Sequence, residues 1–361
     1  MKRIKLLAAV TALMLTLAAC TSDDDGATAT DDDGAADTTE AVDLVQGGGE
    51  RLAAVIAADV VVCGVNDGLP GFGVVGADGT YSGFDVDFCR VVAAGVLGDA
   101  DKVEYKPLTA DVRFTSLQSG DIDVLIRNTT WTATRDGQEG ATFLFTVFFD
   151  GQGMMVPAST GFTVLEDLAD ANICVLSGTT TELNLTAVFG ARGIPFNPVV
   201  FEDNAQLRPA YEEGQCEAWT SDSSQLGSFK FTIENEGGEE QLIMSEIFSK
   251  EPLGPVVSDG DTEWAQAVEW SVMATVQAWE FGLDSGNIGS YSGTDPNILN
   301  FLGTDNFDPS LGLPTDFAIQ IVTQVGNYSE IYNRVNELAP LDGSVNDLWS
   351  NGGLMYVPPY R

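Results

Sequence analysis

The chain has 361 residues, enough for one large or two medium-sized domains, and a 44% hydrophobic content that can supply ordinary folded cores. The chain has 16 lysines and arginines and 54 aspartates and glutamates, which gives a formal net charge of -38. This charge fits a solvated acidic surface, and it excludes a nucleic-acid partner because it repels phosphate backbones. The sequence contains no histidine, which excludes histidine-dependent catalysis and removes the commonest metal ligand. We expect no catalytic residue, no metal and no cofactor.

Residues 1–19 have the pattern of a lipoprotein signal peptide. A basic start precedes the apolar run Leu6–Ala19, which is too short and wrongly flanked for a membrane-spanning helix. The run ends in Leu17-Ala18-Ala19-Cys20, which resembles the bacterial lipobox, where the peptide is cut before a cysteine that then carries diacylglycerol. We therefore expect Cys20 to anchor the chain to a membrane and the later residues to be extracytoplasmic. A cleaved signal peptide with an incidental cysteine is the alternative.

Residues 20–49 follow as an acidic tether. The segment is rich in Asp, Thr, Ala and Gly and includes two aspartate triplets, Asp23–Asp25 and Asp31–Asp33. Low hydrophobicity and like-charge repulsion keep such a segment extended, so we expect it to act as a spacer between the membrane and the folded part of the chain.

The remainder of the chain alternates predicted strands and helices. The predicted strands are Val60–Val65, Lys102–Leu108, Ile122–Ile126, Asn172–Leu176, Val199–Glu202 and Ala218–Ser221. One predicted helix begins at Gly83, and others span Arg113–Ser119, Trp264–Phe281, Pro314–Gly326 and Ser329–Leu338. The helix Trp264–Phe281 has an apolar stripe along one face, which we assign to the core. This β-α-β order predicts an α/β fold with parallel sheets covered by helices. We expect two lobes, one of residues 50–156 and 251–361 with the C-terminal helices, the other of residues 157–250.

Four cysteines lie beyond Cys20, at positions 63, 89, 174 and 216, and three pairings of them are possible. The local sequence favours Cys63–Cys89 and Cys174–Cys216, because in each pair the first member lies in a β-rich run and the second in or after a later helix. An oxidising compartment permits both disulfides, and each would stabilise the fold by roughly 3 to 4 kcal/mol. Buried free thiols are the alternative.

Three polar segments follow predicted strands, where ligands bind in open α/β sheets. The first, Asp123–Arg135, ends in Arg135, whose guanidinium can hold a carboxylate through two parallel hydrogen bonds unless it is a solvated surface arginine. The second segment, Gly178–Glu182, has the residue spacing of a helix N-terminus, whose free N–H groups can bind an anion. Helix capping alone explains these residues equally well. The third, Ala218–Ser224, contains Asp222, which could accept hydrogen bonds from an ammonium. A free amino acid carries both charges, so the three segments together fit that ligand.

A series of motifs occurs in a fixed order along the chain. They are Cys63-Gly64-Val65, Leu69-Pro70-Gly71-Phe72, Gly83–Asp87, Phe114–Gly120, Arg127–Thr132, Gly178–Leu185, Ser249–Pro255 and Val325–Tyr328. Over residues 50–361 this order resembles the polar-amino-acid family of ABC-transporter substrate-binding proteins, and within it the general L-amino-acid-binding proteins. The resemblance implies a two-lobed periplasmic-binding-protein fold of type II, with two crossover strands, that closes on its ligand. It also implies a monomer that delivers free L-amino acids to ABC-transporter permease subunits.

The resemblance assigns the two charged ends of the ligand to residues of this chain. The residue matching Arg135 binds the α-carboxylate, with help from the backbone at Thr180. The residue matching Asp222 binds the α-ammonium.

Further contacts are implied by the same resemblance. Residues matching Asn128 and Thr130 add polar contacts, and an aromatic or apolar residue at or near Phe72 covers the ligand. Arg127 departs from the pattern, because smaller family members often carry a small hydroxyl residue there. We expect Arg127 to line the pocket for the ligand's side chain.

Two other classes of function are weighed against a transport component. An enzyme on the same fold, of dehydratase or peptidoglycan-lyase type, needs a catalytic carboxylate, but the best acidic candidate, Asp222, already has an ammonium to bind, so no enzyme is expected. A sensor would carry a spanning helix or a signalling domain in the same chain, which the sequence does not indicate. A lipoprotein could still present its ligand to a separate receptor.

Overall fold

The computed structural model describes residues 49–304, 307–335 and 337–361. The predicted signal peptide, Cys20 and the predicted tether up to residue 48 lie outside the described residues. Among the helices of the described part of the chain, none is both long enough and apolar enough to cross a membrane.

Strands and helices alternate through the described residues. The strands are β1 Val61–Val65, β2 Gly68–Leu69, β3 Gly73–Val75, β4 Tyr81–Ser82, β5 Val103–Pro107, β6 Val124–Leu125, β7 Ala141–Phe143, β8 Phe148–Asp150, β9 Gln152–Pro157, β10 Asn172–Leu176, β11 Asn197–Phe201, β12 Ala218–Asp222, β13 Gln241–Ile243, β14 Glu251–Leu253 and β15 Val256–Ser258. The α-helices are α1 Glu50–Ala58, α2 Phe84–Leu97, α3 Arg113–Gln118, α4 Ala133–Gln138, α5 Thr180–Arg192, α6 Asn204–Glu212, α7 Ser223–Asn235, α8 Thr262–Glu280, α9 Pro296–Phe301, α10 Phe317–Gln324 and α11 Tyr328–Asn333.

The first lobe is built on a five-stranded sheet with the order β5-β1-β6-β15-β7. Strand β1 runs parallel to β5 and β6, whereas β15 pairs antiparallel with β6 and β7. Helix α2 packs on β1, and α8 and α10 pack on α2. The apolar run of β1 is buried almost throughout, because a parallel strand covered by helices has no solvent-facing side.

The second lobe is built on a five-stranded sheet with the order β11-β10-β12-β9-β13. Strand β10 is parallel to β11 and β12, and β9 is antiparallel to β12 and β13. Helices α5 and α7 pack on this sheet. The predicted α/β class is thus confirmed in both lobes, and each sheet also contains antiparallel strands that the sequence pattern did not reveal.

Two strands, β8 and β14, connect the lobes and pair antiparallel with each other in a sheet of their own. They are the two crossover strands that the resemblance implies, so the two-lobed type II fold is confirmed. Strand β9 begins at Gln152 and pairs with β12 of the second sheet. The chain therefore enters the second lobe near Gly151, several residues before the expected boundary at residue 157.

The long helix α8 lies in the core of the first lobe. Its predicted apolar stripe is buried at Trp264, Val268, Val272 and Val276. The indole N–H of Trp264 donates to the backbone oxygen of Asp123 at 2.8 Å, so its polar group is satisfied in the core. The assignment of this stripe to the core is confirmed.

Both predicted disulfides are present. Cys63 of β1 is bonded to Cys89 of α2, and Cys174 of β10 is bonded to Cys216 just before β12. The pairs close loops with sequence separations of 26 and 42 residues. Each disulfide lies within one lobe and ties a central parallel strand to a neighbouring segment, so it strengthens the sheet without restricting movement between the lobes.

Candidate functional site

A cavity lies between the two lobes at the carboxyl ends of β1, β6, β10 and β12, the edge at which open α/β sheets bind ligands. Apart from Ala110 and Leu176, the residues that line it are polar or charged. The volume open to the centre of a water molecule is about 20 Å³, room for roughly one water. The lobes are therefore closed on each other and must separate to admit an organic ligand.

Side chains of the two lobes meet across this cavity. The side-chain amide of Asn128 donates to the carboxylate of Asp222 at 3.3 Å, and the hydroxyl oxygens of Thr130 and Thr180 lie 3.4 Å apart. The Thr180 hydroxyl also donates to the carboxylate of Glu251 on β14 at 2.8 Å. Four of the residues that the resemblance assigns to the ligand are thus brought together, two from each lobe.

Asn128 reaches the cavity from an uncommon backbone conformation. Its φ is 27°, in the left-handed region that asparagine tolerates better than most residues. Its backbone N–H donates to the carboxylate of Asp85, and its side-chain oxygen accepts from the amide of Asn66, both at 2.8 Å. These contacts turn the remaining amide N–H groups of Asn128 towards Asp222.

Arg135 lies at the contact between the lobes and not on the outer surface. It belongs to the short helix α4, capped by the hydroxyl of Thr132, where the sequence indicated a loop. It is 8% exposed, and its guanidinium donates to the backbone oxygens of Thr130 at 3.0 Å and Gly178 at 3.5 Å. Burial lowers the pKa of Arg135 from its ordinary value, while the nearby charge of Glu251 opposes that effect. The guanidinium is adjacent to the cavity but is not among the groups that line it.

Arg113 of helix α3 lines the cavity and was missed in the sequence. It is 3% exposed, its Nη2 donates to the backbone oxygen of Gly178 at 3.3 Å, and its Nε has no acceptor among the described residues. Burial, together with the charges of Arg135 and Arg127, lowers its pKa well below the ordinary value. Because a guanidinium stays protonated at physiological pH, the unpaired donor costs about 1–3 kcal/mol or more. The scarcity of cations in this chain drew attention to every arginine, but it does not show that Arg113 faces a cavity.

Arg127 also lines the cavity and is buried. Its Nε donates to the backbone oxygen of Leu108 at 2.7 Å. Burial lowers the pKa of Arg127 to about 10, and the charge of Asp85 opposes the change. Burial raises the pKa of Asp85 to about 7, although its hydrogen bond from Asn128 and the charge of Arg127 act in the other direction. The two groups balance each other's charge.

Asp222 ends β12 beside two other buried carboxylates. Burial, followed by the charges of Asp150 and Glu251, raises its pKa well above the ordinary value. Burial also raises the pKa of Asp150 to about 6, against hydrogen bonds from Ser224 and Gly151. Among the described residues no group of three or more Cys, Asp or Glu side chains is arranged to hold a metal ion.

Phe72, which was expected to cover the ligand, lies away from the cavity. It is 1% exposed and packs in the core of the first lobe, with its ring centroid 6.0 Å from that of Phe84 and 5.4 Å from that of Phe148. Gly71, with φ of 83°, makes the turn that carries the chain inward at this point. The expectation is corrected: the structure places Phe72 in the core.

Comparisons with known proteins give one consistent result. A model of the bacterial extracellular solute-binding proteins, family 3, matches residues 61–335. The chain is 44% identical over 317 residues to the general L-amino acid-binding periplasmic protein AapJ of Rhizobium johnstonii, covering 86% of this chain and 92% of that protein. It is 42% identical over 307 residues to the glutamate/glutamine/aspartate/asparagine-binding protein BztA of Rhodobacter capsulatus, covering 83% and 90%. Both relatives are named as amino-acid-binding proteins.

A solved structure extends the comparison to the fold. The chain is similar to an ABC transporter periplasmic binding protein from Brucella ovis with glutathione bound, at 41% identity and a TM-score of 0.80. The match covers 86% of this chain and 99% of that one. The two-lobed arrangement is therefore shared over nearly the whole of that protein.

Proposed function

Because the chain belongs to the bacterial extracellular solute-binding proteins of family 3, we propose that it captures free L-amino acids between its lobes and delivers them to an ABC importer. The observation that carries this proposal is the meeting of Asn128 and Thr130 from one lobe with Thr180 and Asp222 from the other. Such a site binds both charged ends of a zwitterion only when both lobes contribute. The amino-acid-binding relatives support the same class of ligand.

The α-carboxylate binds to Arg135 and to the start of α5. Helix α5 begins at Thr180, and the first N–H groups of a helix have no partner within it and attract an anion. The hydrogen bond from Arg135 to Gly178 runs between the lobes and is long, at 3.5 Å. Separation of the lobes releases it, which frees the guanidinium for a bidentate contact with the ligand.

The α-ammonium binds to Asp222. This carboxylate is 5% exposed, and its neighbours Asp150 and Glu251 carry charge of the same sign. A ligand ammonium placed beside Asp222 offsets both the burial and the repulsion. The binding energy therefore depends on a charge that an α-keto acid lacks.

The crossover strands are the hinge of this capture. Glu251 of β14 accepts hydrogen bonds from Thr180 and from the amide of Asn184, both on α5 and both at 2.8 Å. The hinge is thus linked directly to the helix that holds the carboxylate. A ligand that contacts both lobes stabilises the closed form, which the permease then recognises.

We extend the proposal to the cellular setting: the protein is a monomeric lipoprotein, anchored outside the cytoplasm at Cys20 through the acidic segment 20–49. The lobes consist of residues 50–150 with 251–361, and of residues 151–250. Cell fractionation tests the anchor, because Cys20→Ala should move the protein from the membrane fraction to the soluble extracytoplasmic fraction. Retention of that variant in the membrane would contradict lipid anchoring.

A thermal-shift screen of the purified protein against the common L-amino acids tests the binding function. A ligand specific to the native state stabilises it by about 2.7 kcal/mol at a hundredfold excess over Kd, so several L-amino acids should raise the melting temperature. The matching α-keto acids should raise it little. Mass spectrometry should recover the ligand unchanged, whereas chemical conversion would favour the enzyme. If no amino acid raises the melting temperature, the proposal is wrong.

A further inference from the structure

Gly178 of the second lobe lies directly against the backbone of Asp111 in the first lobe. Gly178 follows β10 and precedes α5, and Asp111 lies in the loop between β5 and α3. A methyl group on Gly178 would place its carbon 2.9 Å from the Cα of Asp111 and 3.1 Å from its backbone nitrogen. Non-bonded carbon atoms pack best at about 3.5–4.0 Å, so the closed form has room only for a glycine at this position.

The peptide group of Gly178 is also bound by the first lobe. Its backbone oxygen accepts hydrogen bonds from Nη2 of Arg113 at 3.3 Å and from Nη2 of Arg135 at 3.5 Å. Close by, the hydroxyl oxygen of Thr180 at the start of α5 lies 3.4 Å from that of Thr130. The close approach at Gly178 therefore accompanies the contacts that bring the start of α5 to the first lobe.

A second glycine at the contact between the lobes is less tightly enclosed. A methyl group on Gly71 of the first lobe would meet the side-chain oxygen of Ser228 in the second lobe at 3.1 Å. A serine side chain can rotate away from such a contact. The Cα of Asp111, by contrast, moves only with its loop or with the whole lobe, so a side chain at Gly178 is accommodated most directly by holding the lobes apart.

Two separate features favour glycine at this position, and they act on different states of the protein. The φ of Gly178 is 67°, in the left-handed region, and a side chain is strained there whether the lobes are together or apart. The contact with Asp111, however, exists only when the lobes meet. Gly193, at the C-terminal end of α5, has a φ of 68°, and a methyl group there would have no described atom within 4 Å. Gly193 therefore isolates the backbone strain from the contact.

We propose that Gly178 is a positioning residue for closure, whose missing side chain determines how near the lobes come to each other. This inference rests on the proposed function and adds to it the residue that fixes the closed geometry. Any side chain at Gly178 shifts the equilibrium towards the open form. Because closure is a step shared by all ligands, the shift lowers the affinity for each amino acid by the same factor and leaves the selectivity unchanged.

Calorimetric titration of Gly178→Ala and Gly193→Ala with L-glutamate and L-glutamine tests this role. Gly178→Ala should weaken the binding of both ligands by about tenfold or more, and by the same factor within about threefold. Gly193→Ala, the control, should weaken each by less than about threefold. Both variants should lower the melting temperature of the ligand-free protein, since both place alanine in the left-handed region.

Small-angle X-ray scattering at saturating L-glutamate distinguishes impaired closure from a local defect at the start of α5. The wild type and Gly193→Ala should contract when the ligand binds, whereas Gly178→Ala should keep a larger radius of gyration. Equal affinities of the two variants overturn the inference, as does a Gly178→Ala protein that contracts as fully as the wild type. Either result leaves the proposed function standing.

A second pair of variants gives the same decision if Gly178→Ala does not fold. Asparagine adopts the left-handed region more readily than alanine and carries the same Cβ, so Gly178→Asn keeps the contact with Asp111 at a lower backbone strain. Gly193→Asn is its control. Failure of the wild type to bind any L-amino acid overturns the proposed function, and this inference with it.

Discussion

Asp222 and Arg135 are both buried, and neither forms an ion pair with another of the residues that the structure describes. Asp222 lies beside the like charges of Asp150 and Glu251, which the hydrogen bond from Asn128 and the charge of Arg113 oppose, while the guanidinium of Arg135 donates to backbone oxygens. In the proposed function a zwitterion supplies the missing partner to both. The energetic cost of these buried charges would then be recovered on binding, so we expect each of them to be essential to affinity.

Truncation of Arg135 is the sharpest test at this scale. We expect Arg135→Ala to weaken amino-acid binding by about 2–5 kcal/mol, because it removes one partner of a buried charge pair. Arg135→Lys keeps the charge but loses the planar fork, so its loss should be intermediate. Calorimetric titration measures both. Near-normal affinity in Arg135→Ala would contradict the assignment.

Buried carboxylates also determine how stability depends on pH. Burial raises the pKa of Asp85 to about 7 and that of Asp150 to about 6, so the folded protein keeps protons that the unfolded chain has released. The free energy of unfolding should therefore fall as the pH rises from about 5 to about 7, by at most about 1.4 kcal/mol per pH unit for each group. Denaturation across this range should show a shallower slope for Asp85→Asn. A free energy of unfolding that rises with pH over this interval would contradict the account.

The site was only partly predictable from the sequence. Asp222 and Arg135 could be identified because Asp222 ends strand β12 and Arg135 closes the polar segment that follows β6, at the edge where such sheets bind ligands. Arg113 could not, because it lies in the six-residue helix α3 and a pattern that short does not show which side faces a cavity. The direction of Phe72 was equally hidden, since the left-handed turn at Gly71 decides it.

Among the elements, the central parallel strands were the most predictable. Strand β10 matches its predicted bounds, Asn172–Leu176. A short, continuous apolar run between turn residues is typical of a parallel strand that helices cover on both faces. The antiparallel strand β9 could not be predicted, since its place depends on distant partners. The same holds for the C-terminal segment, where the Asn346 side chain bonds to both the backbone N–H and the oxygen of Phe149 on the crossover strand β8.

The disulfides give a prediction at the scale of elements. The double variant Cys174→Ala/Cys216→Ala removes a cross-link between β10 and the segment before β12, which closes a separation of 42 residues. We expect the free energy of unfolding to fall by about 3–4 kcal/mol, because the unfolded chain gains conformational freedom. Removing Cys63–Cys89 in the other lobe, with its separation of 26 residues, serves as the matched comparison and should cost slightly less. Chemical denaturation that shows a loss below about 1 kcal/mol for either pair would contradict this role.

For the whole molecule, closure and capture are the same event. The cavity of about 20 Å³ cannot admit an amino acid while the lobes stay in contact. Entry therefore requires the lobes to separate. In the proposed mechanism β8 and β14 bend, and the ligand replaces the weak interlobe contacts of Asn128 and Arg135 with stronger, charge-assisted ones. The two-lobed plan followed from the two runs of alternating strands and helices and from the resemblance of sequence motifs, whereas the closed state could be seen only in the structure.

A crystal structure of the protein with an L-amino acid bound tests the central claim most directly. The ligand should lie between the lobes, with its α-carboxylate hydrogen-bonded to the Arg135 guanidinium and the Thr180 backbone N–H, and its ammonium bonded to Asp222. A ligand bound outside the interlobe cavity, or one whose ammonium points away from Asp222, would contradict the account.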